Sequence, residues 1–252
     1  MVYFKKDKLQ VIISESREEM GRIAGQDAAA MIKVLLEEKD ELNIMFGAAP
    51  SQNEVLAELM SDDGIDWSRI NGFHMDEYIG LDKDAPQGFG NFLRERVFSK
   101  RSFKSVNYID ITAADPEKEA ERYEKLLYEH PMDVCMLGIG ENGHVAFNDP
   151  GEADFNDKRL VKPVKLDDIC RQQQVNDGCF KTIDDVPKYA LSVTITGLLR
   201  AKAMFCVVPT KNKAKAASRM LNGKIDESCP CTILRTKNAS RLYLDSDAAS
   251  LL

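Results

Sequence analysis

The chain has 252 residues and a formal net charge of −7 at pH 7, with 44% hydrophobic residues against 30% charged. That length and apolar content suit one large α/β domain with a sizeable core, and the acidic balance excludes nucleic acid and anionic membrane as partners, because both demand a basic excess. The opening run MVYFKKDKLQVIIS is too short for a signal peptide or a membrane span, and no long uncharged apolar stretch follows, so a cytoplasmic protein is predicted.

Strand and helix signals alternate almost throughout. LQVIIS is a first strand, and Ser16 with Glu19 forms a capping box before a helix whose apolar face includes Met20, Ile23, Ala24, Ala28, Met31 and Leu35. ELNIMF (41–46) is a short buried strand that runs into the loop GAAPSQ and the helix NEVLAELM. RINGFHMDE (69–77) is a further strand, VNYID another, and PEKEAERYEKLLYEH a charged helix before the strand MDVCML. YALSVTIT and AMFCVVP are β-rich runs, the second leading into the helix NKAKAASRMLNG. This alternation predicts a single α/β domain over 1–252, a mostly parallel sheet with helices on both faces, in the manner of a modified Rossmann fold. Ligands in such folds lie at the carboxyl ends of strands, which singles out the loops after Phe46, Phe73, Leu137 and Val208.

The six cysteines show no C-x-x-C pair and no spacing with histidine that would build a zinc site; CPC at 229–231 is their one close pair. Chemistry concentrates elsewhere. GIGENGHVAFNDP (138–150) follows an apolar strand and places Asn142 two residues before His144 and Asp149 five after it. A carboxylate that fixes one imidazole nitrogen turns the other towards a reacting oxygen, whereas an ordinary loop histidine only satisfies backbone groups. Gly143 lets the backbone approach a ligand closely. In FHMDEYIGL (73–81), Asp76 stands where a strand gives way to a loop, a setting that suits proton abstraction beside a carbonyl. The adjacent Glu77 is a candidate substrate contact, and strand alternation assigns His74 to structure.

Together, HMDEYIGL and GIGENGHVAFNDP resemble the two signature stretches of the glucosamine-6-phosphate deaminases (or isomerases), whose fold is shared by 6-phosphogluconolactonases. VPKYALSVTITGLLRAKAMFCVVPTKNKAKA (186–216) continues the likeness in the same order. The resemblance implies that Asp76 moves a proton between C1 and C2 of an open-chain sugar. It likewise implies that His144 opens the ring, with Asn142 and Asp149 orienting it. Asp149 stands where the family has glutamate, a side chain one methylene longer. No metal and no organic cofactor are implied, and a homo-oligomer stays open. The implied activity converts a phosphorylated amino sugar, glucosamine 6-phosphate, to fructose 6-phosphate and ammonia, and is grouped here with the hydrolases. Galactosamine 6-phosphate as substrate, and a non-catalytic sugar-phosphate-binding protein, are the alternatives.

For the phosphate, GAAPSQ offers backbone N–H groups at Gly47, Ala48 and Ala49 and the Ser51 hydroxyl, although Pro50 contributes no N–H. Lys213 matches the family lysine. The family arginine has no clear counterpart, since CRQQQVNDGCF (170–180) replaces its segment, and Arg171 is the nearest candidate.

Overall fold

A computed structural model describes all residues, Met1–Leu252. Eleven strands form: β1 (Val2–Lys6), β2 (Leu9–Ile13), β3 (Leu42–Phe46), β4 (Ile70–His74), β5 (Asp76–Tyr78), β6 (Ser105–Asn107), β7 (Val134–Leu137), β8 (Val161–Lys165), β9 (Tyr189–Val193), β10 (Ala203–Val208) and β11 (Ser240–Leu244). Their helices are α1 (Arg17–Glu38), α2 (Asn53–Ser61), α3 (Phe89–Leu93), α4 (Pro116–Glu129), α5 (Asp168–Asn176), α6 (Ile195–Leu198) and α7 (Ala214–Asn222). No helix is long and apolar enough to cross a membrane.

Eight strands make one sheet in the order β1-β2-β11-β10-β7-β3-β4-β6, parallel except for the β1–β2 hairpin at one edge. Every residue of β3, β7 and β10 is buried, which is why these segments are apolar without alternation: helices cover both of their faces. Two core clusters result, one on each side of the sheet. The fold class expected from the sequence is therefore the one observed. One local detail differs from expectation: the reach-back of Glu19 goes to the Glu15 N–H, while Ser16 Oγ accepts from Glu19 N as a cap should. The N-terminal residues form β1, and residues 168–176 are helical.

A second difference matters more. RINGFHMDE is not one strand: β4 ends at His74, and after Met75 the chain enters a second sheet, β5-β9-β8, which is antiparallel. His74 pins that switch. Its Nδ1 lies 3.0 Å from the Asp76 carbonyl and its Nε2 accepts from Ile109 N at 2.9 Å, so the ring is neutral with the proton on Nδ1. Complete burial holds the imidazole down at about 4, consistent with that structural task.

Candidate active site

From β3 the chain steps one way to β4 and β6, then returns to place β7 on the other side of β3 and continues to β10. Loops leaving β3 and β7 thus part company, and a crevice opens at the carboxyl end of the sheet. The pocket there has about 510 Å³ of open space. It is lined by Gly47, Ala48, Ala49, Ser51 and Gln52 after β3, by Met75 and Asp76 after β4, and by Gly138, Ile139, His144, Ala146 and Phe147 after β7. Gln173 and Gln174 of α5 and Phe89 of α3 complete it. Rings of Tyr78, Phe89 and Phe147, with centroids 4.8 to 5.4 Å apart, pack the small sheet against this end.

Asp76 and His144 therefore face one cavity although 68 residues separate them in sequence. Asp76 is buried, and burial first and the neighbouring Glu77 charge second push its carboxyl well above the usual range. That is the setting of a base poised for proton transfer. Glu77 points elsewhere. Its oxygens accept from Tyr78 N, Phe89 N and Gly90 N at 2.9, 3.0 and 2.7 Å, and it is absent from the pocket wall. The expectation of Glu77 as a substrate contact is corrected: alternation along β5 sends the two acids to opposite sides, and this one ties α3 to the strand.

The His144 loop is closely wired. Asn142 Oδ1 accepts from His144 N at 3.0 Å, while its Nδ2 donates to Asp149 Oδ1 at 3.0 Å and Asp167 Oδ2 at 2.9 Å. Asp149 Oδ2 accepts from Asp167 N. Burial raises the Asp149 carboxyl, but the His144 ring, the Asn142 amide and the Asp167 N–H outweigh it and leave the group below its usual range. Asp149 Oδ1 sits 3.0 Å from His144 Nδ1, so the shorter side chain still reaches the ring. The contact lies out of line with the ring N–H and is not a directed hydrogen bond. Asn142 holds the loop and not the imidazole. Gly140 explains itself by close approach: a side-chain carbon there would lie 2.2 Å from the His144 ring. Gly143 is not in the pocket wall and instead packs on Cys229 and Cys231, which corrects its expected role as a substrate contact.

His144, Asp149 and Cys170 bring ligand atoms within 4.8 Å of one another, the set a metal ion would find. Burial, then the Asp149 and Asp167 charges, hold the Cys170 thiol well above its usual range, which makes it a poor ligand.

Lys213 follows β10 on a turn that leads into α7 and is not itself in the wall of this pocket. Its Nζ is buried with no partner, and burial pushes the ammonium below the usual range. Arg171 does not join it. Nε and Nη2 donate to the Ile183 and Val186 carbonyls, Nη1 pairs with Asp168, and the guanidinium is spent inside its own segment. The expected substrate role of Arg171 is corrected on that ground. Residues missed from sequence include Gln52, Gln173, Gln174 and a backbone device: Thr210 has φ +78, a strained value for a β-branched residue, and its N–H donates to both oxygens of Asp245 at 3.1 and 2.9 Å. Only a backbone angle would have exposed that pair.

A model of the glucosamine-6-phosphate isomerases/6-phosphogluconolactonase family matches residues 15–243. The chain belongs to this family. The glucosamine-6-phosphate deaminase of Listeria monocytogenes serotype 4a (strain HCC23) is 35% identical over 245 residues, covering 97% of this chain and 100% of that protein. That of Clostridium acetobutylicum is 30% identical over 248 residues, covering 97% and 100%. Among solved structures, a monomeric glucosamine-6-phosphate deaminase has a TM-score of 0.86 at 29% identity, covering 96% of this chain and 99% of that one. A 6-phosphogluconolactonase of Thermotoga maritima reaches 0.74 at 20% identity, covering 93% and 98%, and shows the shared fold alone. These names overturn the grouping with the hydrolases: the relatives are deaminases and isomerases, and hydrolysis attaches to the more distant lactonase branch.

Proposed function

We propose that this chain is a hexosamine-6-phosphate deaminase that converts glucosamine 6-phosphate to fructose 6-phosphate and ammonia. The observation that carries this reading is the meeting of Asp76 and His144 on one cavity, which the loop from Gly47 to Ser51 also lines. His144 moves a proton at the ring oxygen and frees the C1 aldehyde. Asp76, its proton affinity raised by burial, takes the C2 proton and returns it to C1, and the resulting 2-imine adds water and loses ammonia. The imidazolium formed on the way is stabilised by the ionised Asp149 beside it.

Lys213 and the N–H groups of Ala48 and Ala49 receive the phosphate, with Ser51 as a hydroxyl donor; the Gly47 N–H is already given to the Met136 carbonyl at 2.7 Å, which corrects its expected part as a donor. A second cation stands in an adjoining recess, where Arg96 shares walls with Ala48 and Ala49. Six unpaired cysteines favour a reducing, cytoplasmic setting. The test is ammonia release from glucosamine 6-phosphate, run beside His144→Ala and beside galactosamine 6-phosphate. Release lost in the variant supports the reading, and the ratio of the two substrates sets the epimer. No release from the intact chain with either sugar refutes it.

A further inference from the structure

Cys229 and Cys231 have no part in the reaction above. Their Sγ atoms lie 3.6 Å apart, both side chains are buried, and Pro230 between them begins the short 3-10 turn Pro230–Thr236. The two sulfurs are chemically unequal. Contact with Cys231 pulls the Cys229 thiol below its usual range and, although burial opposes this, the Arg219 guanidinium adds to it; Cys231 is raised by the same contact. Cys135, Cys170, Cys179 and Cys206 are all raised by burial. Cys229 is thus the thiol best prepared to act as a nucleophile, with its partner already in van der Waals contact. The stretch Asn222–Ser228 that leads to it is largely exposed, so a small local opening gives access.

Position gives this pair a consequence. The Gly143 carbonyl accepts from Cys231 N at 2.8 Å. A side-chain carbon on Gly143, whose φ is +88, would fall 2.7 Å from Cys229 Sγ and 3.4 Å from Cys231 Sγ. Gly143 directly precedes His144, whose ring is flush against Gly140. The dithiol is therefore packed on the backbone that carries the imidazole, with no slack between them.

We propose that Cys229 and Cys231 are a modification site, a dithiol that hydrogen peroxide closes to an intramolecular disulfide, and that closure displaces Gly143 and with it His144. The Cys229 thiolate attacks one peroxide oxygen, the O–O bond breaks, and a sulfenic acid forms as hydroxide leaves and is protonated to water. Cys231 sulfur then attacks the Cys229 sulfur, the S–O bond breaks, and the second water departs with the Cys231 proton. Two thiols lose two electrons and two protons, and the peroxide becomes two waters. The sulfurs must close from 3.6 Å to about 2.05 Å, which moves them together by roughly 1.5 Å and drags the turn that grips Gly143. So small a disulfide ring is strained and readily reduced by exchange with a dithiol, which makes the change reversible.

The test treats the reduced full-length protein with a few equivalents of hydrogen peroxide. Expected are a mass lower by two hydrogens, a cross-linked peptide holding both cysteines, and loss of glucosamine 6-phosphate turnover that dithiothreitol restores. Cys229→Ser and Cys231→Ser, each checked for folding by circular dichroism, keep their turnover under the same treatment. The mass and the His144 imidazole NMR signals, which shift on closure, are read without substrate and so stand apart from the assigned activity. Free thiols after treatment, a disulfide that leaves the His144 signals and turnover unmoved, or Cys229→Ser losing turnover as fast as the intact protein would each overturn the proposal.

Discussion

At the His144 end of the pocket, Asn142, Asp149 and Asp167 engage one another through directed contacts, and only His144 Nδ1 stands out of line. Lys213 Nζ, by contrast, is buried without a partner. The His144 end carries its polar network ready-made, as proton transfer requires. The lysine is left unpaired at a cost to the empty protein, and a phosphate would repay that cost on binding. The same contrast recurs in miniature along β5, where Glu77 accepts three N–H groups and Asp76 has none to hold its charge.

Asp76→Asn tests the contrast hardest. We expect kcat to fall by about 10²- to 10⁴-fold, the usual worth of a positioned base. In the same variant the thermal midpoint without ligand should rise. Burial raises the Asp76 carboxyl, so the folded chain keeps that proton to higher pH than the unfolded chain does. The stability tied to the proton is complete below the unfolded carboxyl value of about 3.9 and is lost as pH rises through the folded value. At neutral pH the ionised group is thus a net cost that asparagine removes. In the intact enzyme the acid limb of kcat/KM should lie above the ordinary carboxylate range. A midpoint that falls in Asp76→Asn would break the comparison.

Glu77→Gln should move stability in the other direction. An amide NH₂ would face a backbone N–H where a carboxylate oxygen now accepts, at a cost of about 1–3 kcal/mol for a buried unsatisfied group. The midpoint in denaturant should drop with its slope unchanged. Two adjacent acids would then show opposite signs, one held for the fold and one for the reaction.

Much of this was legible in sequence, for a physical reason. Asn142, His144 and Asp149 lie within eight residues, so their wiring is local and their order along the chain announces it. The buried strands show themselves by unbroken apolar runs. The exit of the chain at Met75 into a second sheet does not, because it depends on β9 arriving more than a hundred residues later. The task of Arg171 is hidden for the same reason: nothing near it reveals that the Ile183 and Val186 carbonyls wait for its guanidinium. Thr210 and Asp245 are 35 residues apart and meet only once β10 and β11 pair.

Lys213→Met addresses the phosphate end. Hydrogen bonds to charged groups are worth about 1.5–3 kcal/mol, so KM for glucosamine 6-phosphate should rise by about 10- to 100-fold with kcat nearly unchanged. The empty variant should be no less stable than the parent, because an unpaired buried cation has been removed. Stabilisation by inorganic phosphate in a thermal melt should vanish with the lysine.

Arg96→Gln should give the smallest effect. Arg96 is more exposed than Lys213, its Nε already donates to Asn53 Oδ1 at 3.0 Å, and its guanidinium lies over the Phe92 ring at 4.2 Å. A half-solvated cation with partners of its own adds about 0–1 kcal/mol to anion binding, which corresponds to a rise in KM of up to about fivefold. Steady-state kinetics beside Lys213→Met decide the ranking. Equal losses would mean that the guanidinium leaves its present partners when phosphate binds, and that the phosphate end owes its charge to two cations drawn in by the ligand and not to one held in waiting.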